Sequence, residues 1–279
     1  MKWHSFLFGF LFACSASHMQ VRGVEDEGLV VSQRKDDVPF SIICPSDGKP
    51  MLAIIIDDMG ESLEQASSFL NLGVPLTFSI LPNAREAKEV ARLLARLGVE
   101  FMVHIPMEPS DPDMMESREF LLTGMAPKDI RAMLQNFLEK IGGAPKGANN
   151  HMGSRFTTDK EGMRVVLEML NEKRMFFVDS RTTGDTVARE VALETGICFG
   201  ERDVFLDNAI FEGSIERAIQ QAVNIARSKG FAIAIGHPRS ETLSVLKRSV
   251  ESRDPSVTLV FVSCVLRCAG VHKASGNSR

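Results

Sequence analysis

Three histidines each close a short apolar run: His104 follows Phe101-Met102-Val103, His151 follows Gly147-Ala148-Asn149-Asn150, and His237 follows Ala232-Ile233-Ala234-Ile235-Gly236. Another run, Leu52-Ala53-Ile54-Ile55-Ile56, ends in Asp57-Asp58, and a further one, Met175-Phe176-Phe177-Val178, ends in Asp179. Such runs read as buried β-strands. Imidazoles and carboxylates therefore recur at the same end of successive strands. Together they form a ligand set for a divalent cation, and the same groups move protons in hydrolysis. A single histidine at a strand end is more often a hydrogen-bonded structural residue. Several of them beside an aspartate pair favour a site.

The elements that must position these groups alternate along the chain. Strand patterns cover 52–58, 76–81, 100–105, 147–151, 175–180, 202–206, 232–237 and 258–265. Between them lie helical faces: Leu63, Ala66 and Leu70; Ala87, Val90, Ala91, Leu94 and Leu97; Ile130, Met133, Leu134, Phe137, Leu138 and Ile141 after Pro127; and Met163, Val166, Leu167 and Leu170. Thr158 with Glu161 forms a capping box for the last of these. Two further helices carry Ile215, Ala218, Ile219, Ala222 and Ala226, then Leu243, Leu246 and Val250. This alternation predicts right-handed βα units on a parallel sheet. An open sheet concentrates chemistry at one switch point, whereas a barrel spreads it over many strand ends. The expected fold is α/β: a distorted (β/α)-barrel of seven or eight mostly parallel strands in a single domain. No glycine-rich loop follows the first strand, and Asp57-Asp58-Met59-Gly60 would repel a pyrophosphate, so a dinucleotide cofactor is disfavoured.

The 279 residues are 44% hydrophobic, enough for one large core, and the net charge is −4. No Lys/Arg stripe is present, which argues against nucleic acid as a partner. There is no Tyr and one Trp, which argues against an open sugar platform of stacked aromatics, so a carbohydrate site would rely on Phe, polar groups and a metal. Residues 1–19 read as a signal peptide: Lys2, the apolar stretch Phe6 to Phe12, then small residues from Ala13 to Ser17. The expected location is exported, periplasmic or cell-envelope. Leu11-Phe12-Ala13-Cys14 also resembles a lipoprotein box, which would tether the chain to a membrane through a lipidated Cys14; ordinary secretion ranks ahead of it. Residues 20–50 form a polar linker or arm, 51–268 the barrel domain, and 269–279 a flexible tail. No CxxC pair occurs, so a zinc ribbon is unsupported. Cys264 and Cys268, four apart in an extended segment, are too distant to bridge each other.

A family resemblance rests on ordered motifs. Ile54-Ile55-Ile56-Asp57-Asp58-Met59-Gly60, His104-Ile105-Pro106-Met107-Glu108-Pro109, Asn149-Asn150-His151-Met152-Gly153-Ser154, Asp179-Ser180-Arg181-Thr182, Arg202-Asp203-Val204-Phe205-Leu206-Asp207-Asn208 and Ile235-Gly236-His237-Pro238 resemble the divergent polysaccharide deacetylases. These are distant relatives of the NodB-homology carbohydrate deacetylases. The resemblance implies a divalent metal, zinc before others, and removal of acetyl groups from an N-acetylated envelope polysaccharide or peptidoglycan. By position Asp58, His104 and His151 resemble metal ligands, Asp57 the general base and His237 the general acid. Asp179 is placed to hold His237 protonated, with Arg202 and Asp203 behind it. Better-studied relatives carry a second histidine four residues after the first; Glu108 stands there, so either Glu108 or His151 completes the metal set. Their arginine-proline-tyrosine motif is replaced in order by Asn149-Asn150-His151-Met152. A glycan- or envelope-protein-binding barrel without catalysis is the alternative function. A metal-dependent phosphoesterase ranks behind both, since it would want more positive charge around the substrate.

Overall fold

The computed structural model describes residues 44–45, 47–115, 119–252 and 254–268. The segments expected as signal peptide with Cys14, most of the expected linker and the expected tail lie outside them. Strands and helices alternate as β1 (Met51–Met59), α1 (Leu63–Leu70), β2 (Thr77–Ile80), α2 (Ala87–Leu97), β3 (Phe101–Met107), α3 (Pro127–Ile141), β4 (Gly147–Met152), α4 (Lys160–Glu172), β5 (Phe176–Asp179) and α5 (Ala188–Thr195). They continue as β6 (Phe199–Glu201), β7 (Val204–Phe205), α6 (Glu212–Lys229), β8 (Phe231–Gly236), α7 (Ser240–Glu251) and β9 (Thr258–Val260). The sheet order is β6-β5-β4-β3-β2-β1-β8-β7, with β9 also on β1. Among the described residues every pairing between these strands is parallel, and a single antiparallel bridge joins Phe199 of β6 to Arg267. The Ile233 side chain of β8 reaches across the interior to the Gly200 backbone of β6, where an added Cβ would stand 2.8 Å from Ile233 Cδ1. The sheet is therefore curled into a half-barrel with helices outside.

Three local details differ from the sequence expectation. The segment expected as one strand over 202–206 is a very short β7, and β6 precedes it without an intervening helix. The strand expected over 258–265 stops at Val260 and gives way to a 3₁₀ turn over Val262–Val265. Helix α4 is capped by Asp159, whose side chain accepts from Gly162 N at 3.1 Å, while Thr158 Oγ1 donates to Arg155 O in the preceding turn. Asp is as good an N-cap as Thr, and here it stands one residue closer to the helix.

Two apolar clusters result from the pleat. The larger lies between sheet and helices, the smaller fills the half-barrel with Ala53, Ile55, Met102, Phe176, Val178, Ile233, Ile235, Val260, Val262 and Val265. Each fully buried aliphatic side chain contributes roughly 1.5–3 kcal/mol of transfer free energy. Successive side chains of a strand point to opposite faces. Two residues beyond the inward Ile55, Met102, Val178 and Ile235 stand Asp57, His104, Ser180 and His237. An apolar plug is thus roofed by polar groups. Gly147, on the same inward row, has no room for a side chain, since a Cβ would lie 2.2 Å from the Phe176 ring.

Cys44 bonds to Cys264 and Cys198 to Cys268. Neither bridge is the excluded 264–268 pairing. The first ties the end of the arm to the turn after β9.

Candidate active site

Alternation alone would send Asp58 to the helix layer, opposite Asp57. The backbone prevents this: Asp58 has φ 53°, in the left-handed region, and the β1–β2 register shifts between Ile56 and Met59. Aspartate tolerates this conformation better than most residues. Met152 (φ 54°) and Arg181 (φ 49°) do the same directly after His151 and Ser180. Such residues persist where surrounding structure over-determines them, commonly at functional sites.

Asp58 Oδ1 lies 3.2 Å from His104 Nε2 and 2.9 Å from His151 Nδ1. Donor atoms of Asp58, His104 and His151 all fall within 4.8 Å of one another. Asp58 Oδ1 is buried yet has no hydrogen bond of acceptable geometry. The reason lies with the imidazole of His104, whose Nδ1 is 2.7 Å from Asn149 Oδ1. That contact places the proton on Nδ1, so in the neutral ring the Nε2 lone pair faces the carboxylate. Two electron-rich atoms then confront each other, which is stable only with a cation between them or a second proton on the ring. A divalent ion with bonds of about 2.0–2.1 Å would space tetrahedral donors by about 3.4 Å, close to what is found. The donor set thus fits a metal. Without one, burial would raise the Asp58 carboxyl, but His104 and His151 pull it far below the usual range. Burial would lower His104, and the Asp57 and Asp58 charges raise it instead.

Asp57 is buried, with Oδ2 3.6 Å from His104 Nε2 and Oδ1 accepting from Asn149 Nδ2 at 2.8 Å. Burial pushes its pKa up, as does the Asp58 charge, against the lowering effect of His104. A carboxylate with a raised pKa is a stronger base near neutrality. His237 faces the cluster from β8, its Nε2 3.9 Å from Asp58 Oδ2. Asp207 holds it twice, at Nδ1 (2.8 Å) and through its backbone N–H (2.7 Å), and Thr242 Oγ1 donates to the same carboxylate at 2.8 Å. Burial lowers His237, and Asp207 more than offsets it, so its pKa is raised. The Phe205 ring stacks on His237 with centroids 6.1 Å apart, and the Arg202 guanidinium carbon lies 3.7 Å from the Phe205 ring centroid.

The structure therefore brings Asp57, Asp58, His104, His151 and His237 to one rim and reassigns their neighbours. Asp179 does not hold His237: its oxygens accept from Arg181 N and Thr186 Oγ1, both at 2.8 Å. Its carboxyl, raised by burial, anchors the β5 loop. Asp203 pairs with Lys229 at 2.8 Å, away from the rim. Arg202 donates to the carbonyls of Ser180 and Arg181. Glu108 is turned to Arg155 (3.2 Å) and the Thr123 N–H (2.7 Å), and His151 is the residue beside Asp58. The partner that sequence reasoning passed over is Asp207. Its signal was available, since it closes Val204-Phe205-Leu206 as Asp179 closes its own run. The buried polar set of Asn149, Ser79 and Ser180 carried no comparable signal.

Among described residues no helix is long and apolar enough to cross a membrane. The chain is 34% identical over 215 residues to the uncharacterized protein YibQ of Escherichia coli (strain K12), covering 77% of this chain and 67% of that one. It is also 34% identical over 209 residues to an uncharacterized protein of Haemophilus influenzae, 75% of this chain and 74% of that one. A crystal structure of an uncharacterized Agrobacterium tumefaciens C58 protein superposes with TM-score 0.74 at 22% identity, covering 88% of this chain and 99% of that one. A putative cellobiose-phosphate cleavage protein of Enterococcus faecalis V583 follows at 0.54 and 14% identity, over 78% and 100%. These two likenesses concern the fold. Residues 54–266, which span every rim residue described above, match the divergent polysaccharide deacetylase family, and the chain belongs to that family.

Proposed function

We propose that this chain is a metal-dependent hydrolase that removes N-acetyl groups from an exported envelope glycan of the peptidoglycan type. The observation that carries the reading is the convergence of Asp58, His104 and His151 donors beneath a rim flanked by Asp57 and His237. Two imidazoles and a carboxylate suit zinc, with positions left for water and substrate. A bound divalent ion would acidify water and polarise the acetyl carbonyl. Asp57, held in place by Asn149, would serve as the base that accepts the proton of the attacking water. His237, kept protonated by Asp207, donates to the departing amine. The two disulfides accord with an oxidising compartment, hence with export.

The test is zinc content of the full chain together with acetate release from N-acetylchitooligosaccharides. His104→Ala and His151→Ala should each lose the metal, Glu108→Gln should keep it, and Asp57→Asn should keep it while turnover falls about 10²–10⁴-fold. Full metal occupancy in His104→Ala would overturn the ligand assignment. A metal-loaded parent that releases no acetate would leave a barrel that binds glycan without cleaving it.

A further inference from the structure

We infer that Asn149 is a positioning residue that locks the base Asp57 and the ligand His104 into one hydrogen-bonded unit. This rests on the metal-dependent reading above. Asn149 is wholly buried on the inward row of β4. Its amide nitrogen donates to Asp57 Oδ1 at 2.8 Å and to Ser180 Oγ at 3.2 Å. Its oxygen receives the Ser79 hydroxyl and His104 Nδ1, the latter at 2.7 Å. Both donors and both acceptor sites of the amide are therefore used.

The orientation of that amide is decided by charge. Turning it over would set Oδ1 against the Asp57 carboxylate, acceptor against acceptor in a buried site, where an unmade bond is costly. Asp57 thus fixes the amide, the amide fixes the proton of His104 on Nδ1, and Nε2 is left with its lone pair toward Asp58. Ser180 closes the far side, its own N–H held by Asn150 Oδ1 at 2.8 Å. The neighbouring amide of the Asn149-Asn150 pair therefore supports the first from the opposite face of β4. No other side chain does the same. Asp lacks the donor toward Asp57, Leu lacks both functions, and Gln is one methylene too long for a contact row already closed on four sides.

The two halves of the unit separate by substitution. Asn149→Leu and the smaller Asn149→Ser remove the acceptor from His104; zinc affinity of the full chain, measured by chelator competition, should fall about 10–100-fold. In the zinc-loaded chain the slowly exchanging Nδ1 proton of His104 should vanish from the NMR spectrum. Asn149→Asp keeps an acceptor for His104 and places a carboxylate against Asp57. It should hold zinc within about threefold of the parent while turnover on N-acetylchitooligosaccharides falls about 10²-fold or more. Unchanged zinc affinity in both truncations, with the Nδ1 proton retained, would overturn the link to His104. Parent-like turnover in Asn149→Asp would overturn the link to Asp57. If the parent releases no acetate the deacetylase reading fails by itself. The contrast in zinc affinity between Asn149→Leu and Asn149→Asp still decides the inference.

Discussion

Replacing both Cys44 and Cys264 by Ser should destabilise the fold by about 3 kcal/mol without touching the metal site. The bridge spans a sequence separation of 220, so in the unfolded chain it removes the freedom of a very long loop. In the folded chain its loss releases much less. Pro50 O already accepts from Thr258 N, Met51 N donates to Gly230 O, and only the segment from Cys44 to Met51 is set free. That segment is about seven residues long, and loop-closure entropy goes as (3/2)RT ln n, so the net effect is (3/2)RT ln(220/7), about 3 kcal/mol. For a domain of this size it corresponds to a midpoint lowered by roughly 6–12 °C. Thermal and urea unfolding of the double variant, beside a chain that starts at Gly48 and carries Cys264→Ser, provides the assay, because both keep the Pro50 carbonyl and the Met51 amide in place. The two should agree within about 0.5 kcal/mol, since both lack the same cross-link, and zinc affinity should equal that of the parent. A loss below about 1 kcal/mol, against the typical 2–4 kcal/mol of such bonds, would refute the loop argument by showing that the unfolded chain gains little freedom when the bridge is removed.

Two further outcomes follow from buried carboxylates. Glu100 sits at the opposite end of the half-barrel, accepting from Thr77 Oγ1 (2.9 Å) and Ser263 N (3.3 Å), with Oε2 unpaired. Burial raises its pKa above 4.5. The folded chain therefore holds the proton more tightly than the unfolded one, and stability falls as pH rises from about 4.5 through the folded value. Glu100→Gln should remove that slope and stabilise the protein by about 1–3 kcal/mol at neutral pH; parallel urea curves for both chains from acid to neutral pH would contradict this. At the other end, Asp207→Ala should lower the titration midpoint of His237 followed by NMR and cut turnover about 10–10³-fold. Asp179→Asn should leave that midpoint in place, and a shift of equal size would restore Asp179 as the orienting group.

How much of this was legible in the sequence depends on whether a feature is local. Strand ends at His104 and His237 are visible because a short continuous apolar run closed by a polar residue marks a strand buried on both faces, and the curl of a parallel sheet does the rest. The convergence of Asp57 and Asp58 came only through the family resemblance, because it depends on one left-handed backbone angle at Asp58 that aspartate permits and does not demand. Asp207 was legible by the same rule as Asp179 but competes with Asp203, and only the pairing of β7 with β8 decides which of the two meets His237. The disulfides were hidden for the opposite reason. Cysteine positions state what cannot pair, while pairing across 220 residues needs the three-dimensional path.

The placement of β1 bears on how the chain reaches its native state. This strand carries both site aspartates and lies in the middle of the sheet, yet its partners β8 and β9 come from the far end of the chain, with Met51 beside Phe231 and Thr258. β2 can pair with one edge of β1 early, but the other edge stays open until nearly the whole sequence is available. Pairings of such long range set slow folding rates. A chain interrupted before β8 would expose Ile54, Ile55 and Ile56 as an unpaired apolar edge, the sort of segment that recruits other chains. Producing the barrel intact is thus a matter of protecting one strand for the duration of synthesis.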